Sequence, residues 1–226
     1  MKIKYLLIFG LISLIVFLIY LGTIDKKIYY LSLDSTDGYN NLIANKLQKN
    51  NILESYINEY VDNSYRITDL IKDIEDNKKI TINGKTKTLK NTLVKADIIT
   101  ISIGSTDLFN QINYTDDYDE SYDYIDEMLS DLEKMIKLVK QYCKEDIFLI
   151  GYYNPYEVNK IDELFNYLNK KSIELCKEYK INYIDISKII DDKKYIDDKL
   201  IINKDGNEAI YNEIFDKILK KVIKNT

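Results

Sequence analysis

Short apolar runs alternate with helical patterns along most of the chain. The runs are rich in β-branched and aromatic residues, which is typical of parallel strands that are covered on both faces. They comprise residues 28–33, 56–61, 97–103, 146–152 and 181–186. Helical periodicity fills the intervals at 39–50, 66–76, 119–144 and 159–179, and a last helix is predicted over 207–224. This alternation predicts an α/β fold with a five-stranded parallel sheet and helices on both faces.

One segment departs from the alternation. Ile80–Ile82 and Lys85–Leu89 flank Asn83-Gly84, a dipeptide that strongly favours a two-residue hairpin turn. We therefore predict a small surface hairpin before the third strand of the sheet. No internal repeat or low-complexity linker interrupts the pattern, so residues 28–226 are predicted to form one domain.

The first residues form a separate element. Lys2 and Lys4 precede an uncharged stretch from Tyr5 to Gly22, and a helix of this length spans about 30 Å of hydrocarbon. We predict a tail over 1–4, a transmembrane helix over 5–22 and a spacer over 23–27. The alternatives are a buried helix and a cleaved signal peptide, but the stretch is longer than a signal-peptide core and TIDKK offers no small-x-small cleavage site. The expected protein is single-pass in the cell membrane, with a cytoplasmic N-terminus and an extracytoplasmic domain.

Composition narrows the choice of function. The formal net charge of -5 gives no reason to expect nucleic acid as a partner, and there is no glycine-rich nucleotide loop. Cys143 and Cys176 lie on apolar helical patterns, where a small core residue is the usual interpretation; a disulfide between them stays open. No metal-ligand spacing occurs, and we expect neither a metal nor a cofactor.

Polar residues collect directly after the predicted strands. Ligands of open parallel sheets bind beyond the carboxyl ends of the strands, so these loops form the candidate site. They read LDSTDG after the first strand, DNSYR after the second, GSTDLF after the third and YNPYE after the fourth. The segment DDKLIINKDG, which precedes the last helix, joins them.

The first and third of these loops resemble motifs of the SGNH/GDSL hydrolases. Leu33-Asp34-Ser35 corresponds to the GDS motif that ends the first strand, without its glycine. The stretch ADIITISIGSTD follows the block that ends in GxND: Gly104 and Asp107 match, and Thr106 stands in place of the asparagine. The resemblance implies an SGNH-hydrolase-like, flavodoxin-like three-layer sandwich.

The segment before the last helix is similar to the family's DxxHPNxxG block. Asp198, Asn203 and Gly206 match, whereas Ile201 and Ile202 replace the histidine and the proline. The three blocks occur in the family's order and spacing, over nearly all of the chain after the predicted anchor.

The resemblance implies a serine hydrolase site whose parts are incomplete. Ser35 takes the position of the nucleophile and Asp198 that of the carboxylate that orients the base. The oxyanion-hole positions are Ser35, Ser64 (or its neighbour Asn63) and Thr106. The expected pocket is lined by Asp34, Gly104, Asp107, Ile201 and Asn203. An alkyl side chain cannot accept a proton, and the sequence contains no histidine to replace it.

These residues support a domain that binds or scaffolds at the cell envelope without catalysis, with a glycan, a lipid or a protein as its ligand. The alternative is an active esterase or acylhydrolase in which Ser35 uses an unusual base, for which Asp198 and Lys204 are the candidates. A third hypothesis is a purely structural domain that partners another envelope protein. The same residues also have structural interpretations: Ser35 as the cap of the next helix, and Asp34 and Asp107 as turn and cap residues.

Overall fold

A computed structural model describes residues 27–34, 38–62, 65–114, 118–156, 159–190, 193–197 and 201–224. Its main sheet has five parallel strands in the order β2-β1-β5-β6-β7. The strands are β1 (Ile28–Asp34), β2 (Leu53–Ile57), β5 (Ile98–Ser102), β6 (Asp146–Ile150) and β7 (Asn182–Ile184). The predicted α/β class and five-stranded parallel sheet are confirmed.

Helices cover both faces of this sheet. One face packs against α1 (Tyr39–Lys49) and α7 (Lys204–Lys224). The other packs against α2 (Ile67–Glu75), α3 (Leu89–Lys95), α5 (Tyr118–Tyr142) and α6 (Asn159–Glu178), and α4 (Ser105–Tyr114) follows β5. Each face encloses its own hydrophobic core, because strand side chains alternate between the two faces. The result is the predicted three-layer sandwich.

The hairpin prediction is confirmed in detail. β3 (Lys79–Ile82) and β4 (Lys85–Thr88) pair antiparallel, and Asn83 and Gly84 form the turn. Their φ angles of 51° and 73° are both positive, as a two-residue hairpin turn that matches the strand twist requires.

The second strand was predicted too late in the chain. It spans Leu53–Ile57 rather than 56–61, since residues from Leu53 onward pair with β1 from Ile28 onward. Tyr60 is buried by the core instead of by the sheet, and its hydroxyl lies 3.0 Å from Thr92 Oγ1. The apolar pattern therefore predicted the buried residues correctly, but it did not predict where the strand begins and ends.

The predicted transmembrane segment, residues 5–22, lies outside the described residues. Within the described part of the chain, no helix combines the length and the apolar character that a membrane span needs.

Both cysteines are buried as free thiols. Burial raises the pKa of the Cys143 thiol, and it raises the pKa of Cys176 to about 12. A thiol with that pKa has about 10³-fold less thiolate at neutral pH than an ordinary cysteine. We expect iodoacetamide to alkylate neither cysteine in the folded protein, and to alkylate both after denaturation; mass spectrometry of the two states checks this. Rapid alkylation of the native protein would contradict the burial.

Candidate functional site

The predicted site residues that the structure describes lie at the carboxyl end of the sheet, where β1 and β5 end, and in the segment that leads into α7. They are Asp34, Gly104, Asp107, Ile201 and Asn203. Ser35, Asn63, Ser64 and Asp198 lie outside the described residues. Thr106 is the second residue of α4, and its side chain also lies outside what is described.

Asp34 is the last residue of β1 and is almost fully buried. Its Oδ2 accepts hydrogen bonds from the Tyr39 hydroxyl at 2.5 Å and from Asn40 Nδ2 at 2.7 Å. Burial raises the pKa of Tyr39 well above its ordinary value, and the charge of Asp34 raises it further. Asp34 thus joins the end of β1 to the first turn of α1, and both flank the predicted nucleophile loop.

The hydrogen bonds continue beneath that loop. Tyr30 donates to Asn40 Oδ1, and Thr100 Oγ1 donates to the same atom at 2.9 Å. All three side chains are fully buried. Because buried polar groups are costly unless they are paired, such a network fixes one arrangement of its members. It holds β1, β5 and α1 in register directly below the site.

A side chain from α7 caps α1. Tyr39 N donates to Asn207 Oδ1 at 2.9 Å, and Gly38 is the N-cap residue of α1. Ser35 is therefore not the N-cap of this helix. A Cβ on Gly38 would lie 1.7 Å from Asn207 Oδ1, so a larger residue would displace the cap. Asn207 ties the loop after β1 to the segment in which the family carries its histidine, and no sequence pattern predicted this contact.

Two matching positions of the last block have structural roles. Asn203 precedes α7, and its Oδ1 accepts a hydrogen bond from Gly206 N at 3.0 Å, as an N-cap residue does. A Cβ on Gly206 would lie 2.6 Å from the carbonyl oxygen of Tyr195. This cap explains why α7 begins at Lys204 rather than at the predicted Asn207.

Ile201 is half exposed at the edge of the site. It is 50% accessible to solvent. Two hydrogen bonds to Asp197 hold its backbone: Ile201 N donates to Asp197 Oδ1 at 2.9 Å, and Asp197 N donates to Ile201 O at 2.8 Å. Ile196 and Ile202 form an antiparallel bridge across the same turn. The residue at the position of the family's histidine therefore lies in a turn that is fixed by hydrogen bonds, and its alkyl side chain is at the surface.

Gly104 is required by the backbone after β5. Its φ of 107° is unfavourable for any residue with a side chain. A Cβ there would lie 3.1 Å from Ile67 Cδ1 and 3.2 Å from the Tyr152 hydroxyl. The glycine lets α4 begin immediately beneath the site.

Asp107 is paired with Arg66, which sequence reasoning missed. Arg66 Nε donates to Asp107 Oδ1, and Arg66 Nη2 donates to the Tyr124 hydroxyl at 3.2 Å. Hydrogen bonding to Asp107 raises the pKa of Arg66, and burial and the Asp107 charge raise that of Tyr124. A cavity of about 80 Å³ adjoins the pair, which is room for a few waters at most. The ion pair ties the loop after β2 to α4, the two segments with the predicted oxyanion positions Ser64 and Thr106.

Removing Arg66 and removing Asp107 are expected to affect stability unequally. The side chain of Arg66 is 54% exposed and that of Asp107 only 4%. Arg66→Ala would leave the buried Asp107 carboxylate with only the Tyr124 hydroxyl, 3.5 Å from Oδ1, and should lower the free energy of unfolding by about 2 kcal/mol. Asp107→Ala would leave a guanidinium that water can reach, and we expect about half that cost. Urea unfolding followed by circular dichroism measures both.

Lys217→Ala is the matched control, because its partner Glu213 and Lys217 itself are both about half exposed. An exposed pair contributes about 0.5 kcal/mol or less. Equal losses of stability in Arg66→Ala and Asp107→Ala would show that other groups stabilise the Asp107 carboxylate.

An aromatic group lies beside these loops. Phe109 of α4 packs with its ring centroid 6.2 Å from that of Tyr153 and 6.0 Å from that of Tyr156, both after β6. Tyr153 is buried, which raises its pKa, while Phe109 and Tyr156 are partly exposed. The segment YNPYE, which was predicted to follow the fourth strand, contains Tyr153 and Tyr156. No sequence pattern predicted that Phe109 packs against them.

Most polar groups of the described site residues make hydrogen bonds that hold the loops: Asp34 bonds Tyr39 and Asn40, and Asn203 bonds the first turn of α7. Asp107 Oδ2 is the exception among them, since it is buried without a hydrogen-bond partner. In the described segments, no cluster of cysteine and acidic side chains could hold a metal ion. A larger hollow of about 550 Å³ runs along β7, where Lys177 and Lys217 border it, away from the motif residues.

Comparison with known proteins agrees with this geometry. The sequence profile described as GDSL-like lipase/acylhydrolase matches residues 32–214. The fold is similar to that of a lipase from a goat rumen metagenome, with 15% identity, a TM-score of 0.68, and coverage of 85% of this chain and 96% of that one. It is also similar to an acetylxylan esterase from Geobacillus stearothermophilus, with 14% identity, a TM-score of 0.65, and coverage of 86% and 94%. Solved structures of that esterase include catalytic mutants at a serine, an aspartate and a histidine. No curated protein matches the sequence.

Proposed function

We propose that this chain, which belongs to the GDSL-like lipase/acylhydrolase family, binds a ligand at the family's site without hydrolysing an ester. We further propose that residues 5–22 anchor it in the cell membrane with the domain on the extracytoplasmic side. The anchor rests on the apolar sequence from Tyr5 to Gly22 and its flanking lysines.

The absence of histidine carries the proposal. None occurs in the 226 residues, and Ile201 stands at the family's histidine position. Without a base, the hydroxyl of Ser35 would stay protonated and weakly nucleophilic. Thr106 also replaces an oxyanion donor, and loss of one such donor typically costs about 10²- to 10³-fold in rate. Two losses at one site are a stronger argument against catalysis than either alone.

The ligand that the site supports best is an envelope glycan. Partly exposed rings of Phe109 and Tyr156 offer faces on which a sugar ring can pack. The similar Geobacillus enzyme is named for its action on acetylated xylan, so a carbohydrate is a ligand class compatible with this fold. Lipid and protein ligands are the competing outcomes.

Labelling with a fluorophosphonate and assay of short-chain p-nitrophenyl esters test the absence of catalysis. We expect the full chain to show no labelling, and Ser35→Ala to hydrolyse each ester at the same rate as the wild type. Labelling that Ser35→Ala abolishes would establish the alternative, an active esterase with an atypical base. Of the two candidate bases, Lys204 has a side chain that is 87% exposed, so it lacks the buried setting in which a lysine serves as a base.

Binding is tested by calorimetric titration of the full chain in detergent with acetylated xylo-oligosaccharides and chito-oligosaccharides. Tyr156→Ala should weaken binding of whichever sugar is recognised by about tenfold, the loss expected for one stacking ring. Tyr122→Ala, at an aromatic pair between α5 and α6, is the control. Absence of binding by both sugars would refute the glycan as ligand.

A further inference from the structure

We propose that the end of the sheet at which the strands begin lies against the surface of an anionic phospholipid bilayer. This inference rests on the proposed N-terminal anchor and adds a second contact to it. The surface, called here the lysine-rich end, is defined by six exposed side chains: Lys49, Lys79, Lys85, Lys95, Lys144 and Lys180.

The parallel topology gathers these lysines from distant parts of the sequence. A helix that leads into a parallel strand ends where that strand begins. Lys49 and Lys95 are the last residues of α1 and α3, ahead of β2 and β5. Lys144 and Lys180 follow α5 and α6, ahead of β6 and β7. All four therefore lie at the same end of the sheet as Ile28, the first residue of β1.

The β3–β4 hairpin belongs to the same end. Lys87 of β4 donates to the Tyr29 hydroxyl at 3.3 Å, and its ammonium lies 5.4 Å from the centroid of that ring. Tyr29 is the second residue of β1. The hairpin thus adds the exposed Lys79 and Lys85 to the lysines that end the helices.

Helix dipoles explain only part of this pattern. Lysine is favoured in the last turn of any helix, which accounts for Lys49 and Lys95. It does not account for Lys79 and Lys85, which lie on strands. Nor does it account for Val94, which is 62% exposed beside Lys95. An exposed valine among lysines fits a surface that meets lipid headgroups.

Carboxylates do not neutralise this end. Among the described residues, no ion pair joins any of the six lysines to a carboxylate. The exposed carboxylates that share this end are Glu54, Glu75, Asp76, Glu145 and Glu178, and the partly buried Asp97 and Asp146 lie there too, at the starts of β5 and β6. Glu75 is already paired with Lys134 at 3.0 Å. The exposed Lys27, Lys46 and Lys177 add further positive charge there.

Acidic residues collect at the opposite end of the domain. Helices that follow strands begin there, and their first turns carry Asp119 and Glu120 in α5, Asp162 in α6 and Asp205 in α7, alongside the exposed Lys160 and Lys204. The chain as a whole has a formal charge of -5. An anionic surface would therefore attract the lysine-rich end more strongly than the opposite end.

The predicted anchor leaves the domain at the lysine-rich end. The predicted span ends at Gly22, so the chain to Ile28 can extend about 20 Å at most. Lysines within that distance of the headgroups feel the surface potential of an anionic leaflet, which decays over a Debye length of about 8 Å in physiological salt. β1 then runs about 23 Å away from the membrane to Asp34. The candidate site would face outward.

The test uses the full chain in vesicles of phosphatidylcholine, with or without phosphatidylglycerol, that contain a lipid with a quencher on its headgroup. A fluorophore is attached at Val94→Cys or, as the matched control, at Ile201→Cys, an exposed position at the opposite end. The native cysteines are buried and do not compete for the label. We expect stronger quenching at position 94 than at 201 in anionic vesicles, and loss of the difference in 1 M salt, where the Debye length is about 3 Å.

Removal of lysine charges tests whether the quenching at position 94 depends on the lysine-rich end. The triple substitution Lys79→Gln, Lys85→Gln and Lys95→Gln should shift the balance away from the bound orientation by about 10²-fold, because each lysine near the surface contributes about a fivefold factor. Circular dichroism checks that the variant is folded. Equal quenching at the two positions, or quenching at position 94 that ignores lipid charge, would overturn the inference.

Flotation separates this proposal from the anchor. A chain that fails to float with neutral vesicles in 1 M salt has no anchor. If that chain still binds anionic vesicles with position 94 quenched, the lysine-rich end is confirmed and the anchor is refuted. A chain that floats but shows no preference of position 94 for anionic lipid keeps the anchor and refutes the lysine-rich end.

Discussion

Raising the pH above about 10 is expected to unfold the domain in one cooperative step. Tyrosine ionises near pH 10 in an unfolded chain, and burial raises the pKa of several tyrosines in the folded protein. These are Tyr30, Tyr39, Tyr152, Tyr153 and Tyr183. Their hydroxyls stay protonated in the folded protein at a pH at which the unfolded chain has lost those protons.

The sign of the effect follows from the bound protons. Above about pH 10 the folded protein binds more protons than the unfolded chain, so the free energy of unfolding falls as the pH rises. Each such tyrosine lowers it by about 1.4 kcal/mol for every pH unit above 10. Together these tyrosines remove about 7 kcal/mol by pH 11, which is comparable with the whole stability of a typical domain, about 5–15 kcal/mol. At neutral pH they are protonated in both states and contribute no pH dependence.

The chain suits this measurement because it has 21 tyrosines and no tryptophan. Tyrosinate absorbance and circular dichroism should change together in an alkaline titration. Tyr183→Phe should make stability fall less steeply with pH, because it removes one of these ionising hydroxyls. Tyrosinate absorbance that rises fully while the circular dichroism stays native would show that the buried hydroxyls ionise in the folded protein.

Restoring the family's residues should create hydrolysis only in combination. Ile201→His supplies a base, but Thr106 still stands where the family has its asparagine, and we expect the single variant to gain little over the wild type. Adding Thr106→Asn supplies an oxyanion donor and should raise ester hydrolysis by a further factor of about 10². The single variant should fold, since Ile201 is half exposed and exposed substitutions usually change stability by about 0.5 kcal/mol or less; circular dichroism checks that the double variant is folded.

Initial rates of p-nitrophenyl acetate hydrolysis measure this, with Ser35→Ala added to each variant as the control. If Ile201→His alone matched the double variant, Thr106 would already act as the donor. If neither variant gained a rate that depends on Ser35, the assignment of Ser35 and Asp198 to the family's catalytic positions would be wrong.

Much of the fold follows from local pattern, and its failures have a common cause. The turn of the hairpin was predicted to the residue, and its strands to within one residue, because Asn83 and Gly84 fix the turn without help from the rest of the chain. By contrast, α3 and α4 were missed, and β2 was placed too late. Those elements are short, and partners distant in sequence decide them: β2 is set by its pairing with β1, and α3 buries Leu89 and Leu93 against a core built by other elements.

The candidate site shows the same contrast between local and distant signals. The resemblance to the family's motifs predicted Asp34, Gly104 and Asn203 as site residues, because those motifs are local in sequence. It missed Arg66 and Asn207, whose importance lies in contacts across 41 and 168 residues. A polar side chain whose partners are distant in sequence leaves no pattern in a single sequence, so its role becomes visible only in the folded chain.

The short strand β7 affects whether neighbouring copies of the protein can pair through the edges of their sheets. An open sheet ends in two strands whose free backbone groups can pair with another copy, and natural proteins guard these edges with short strands and charge. β7 offers three residues, and Lys177 and Lys217 border the hollow beside it. The other edge strand, β2, exposes Glu54. If the proposed anchor holds copies side by side in one membrane plane, an edge of only three residues gives them little backbone to pair with, and they would remain separate molecules instead of joining into a continuous sheet.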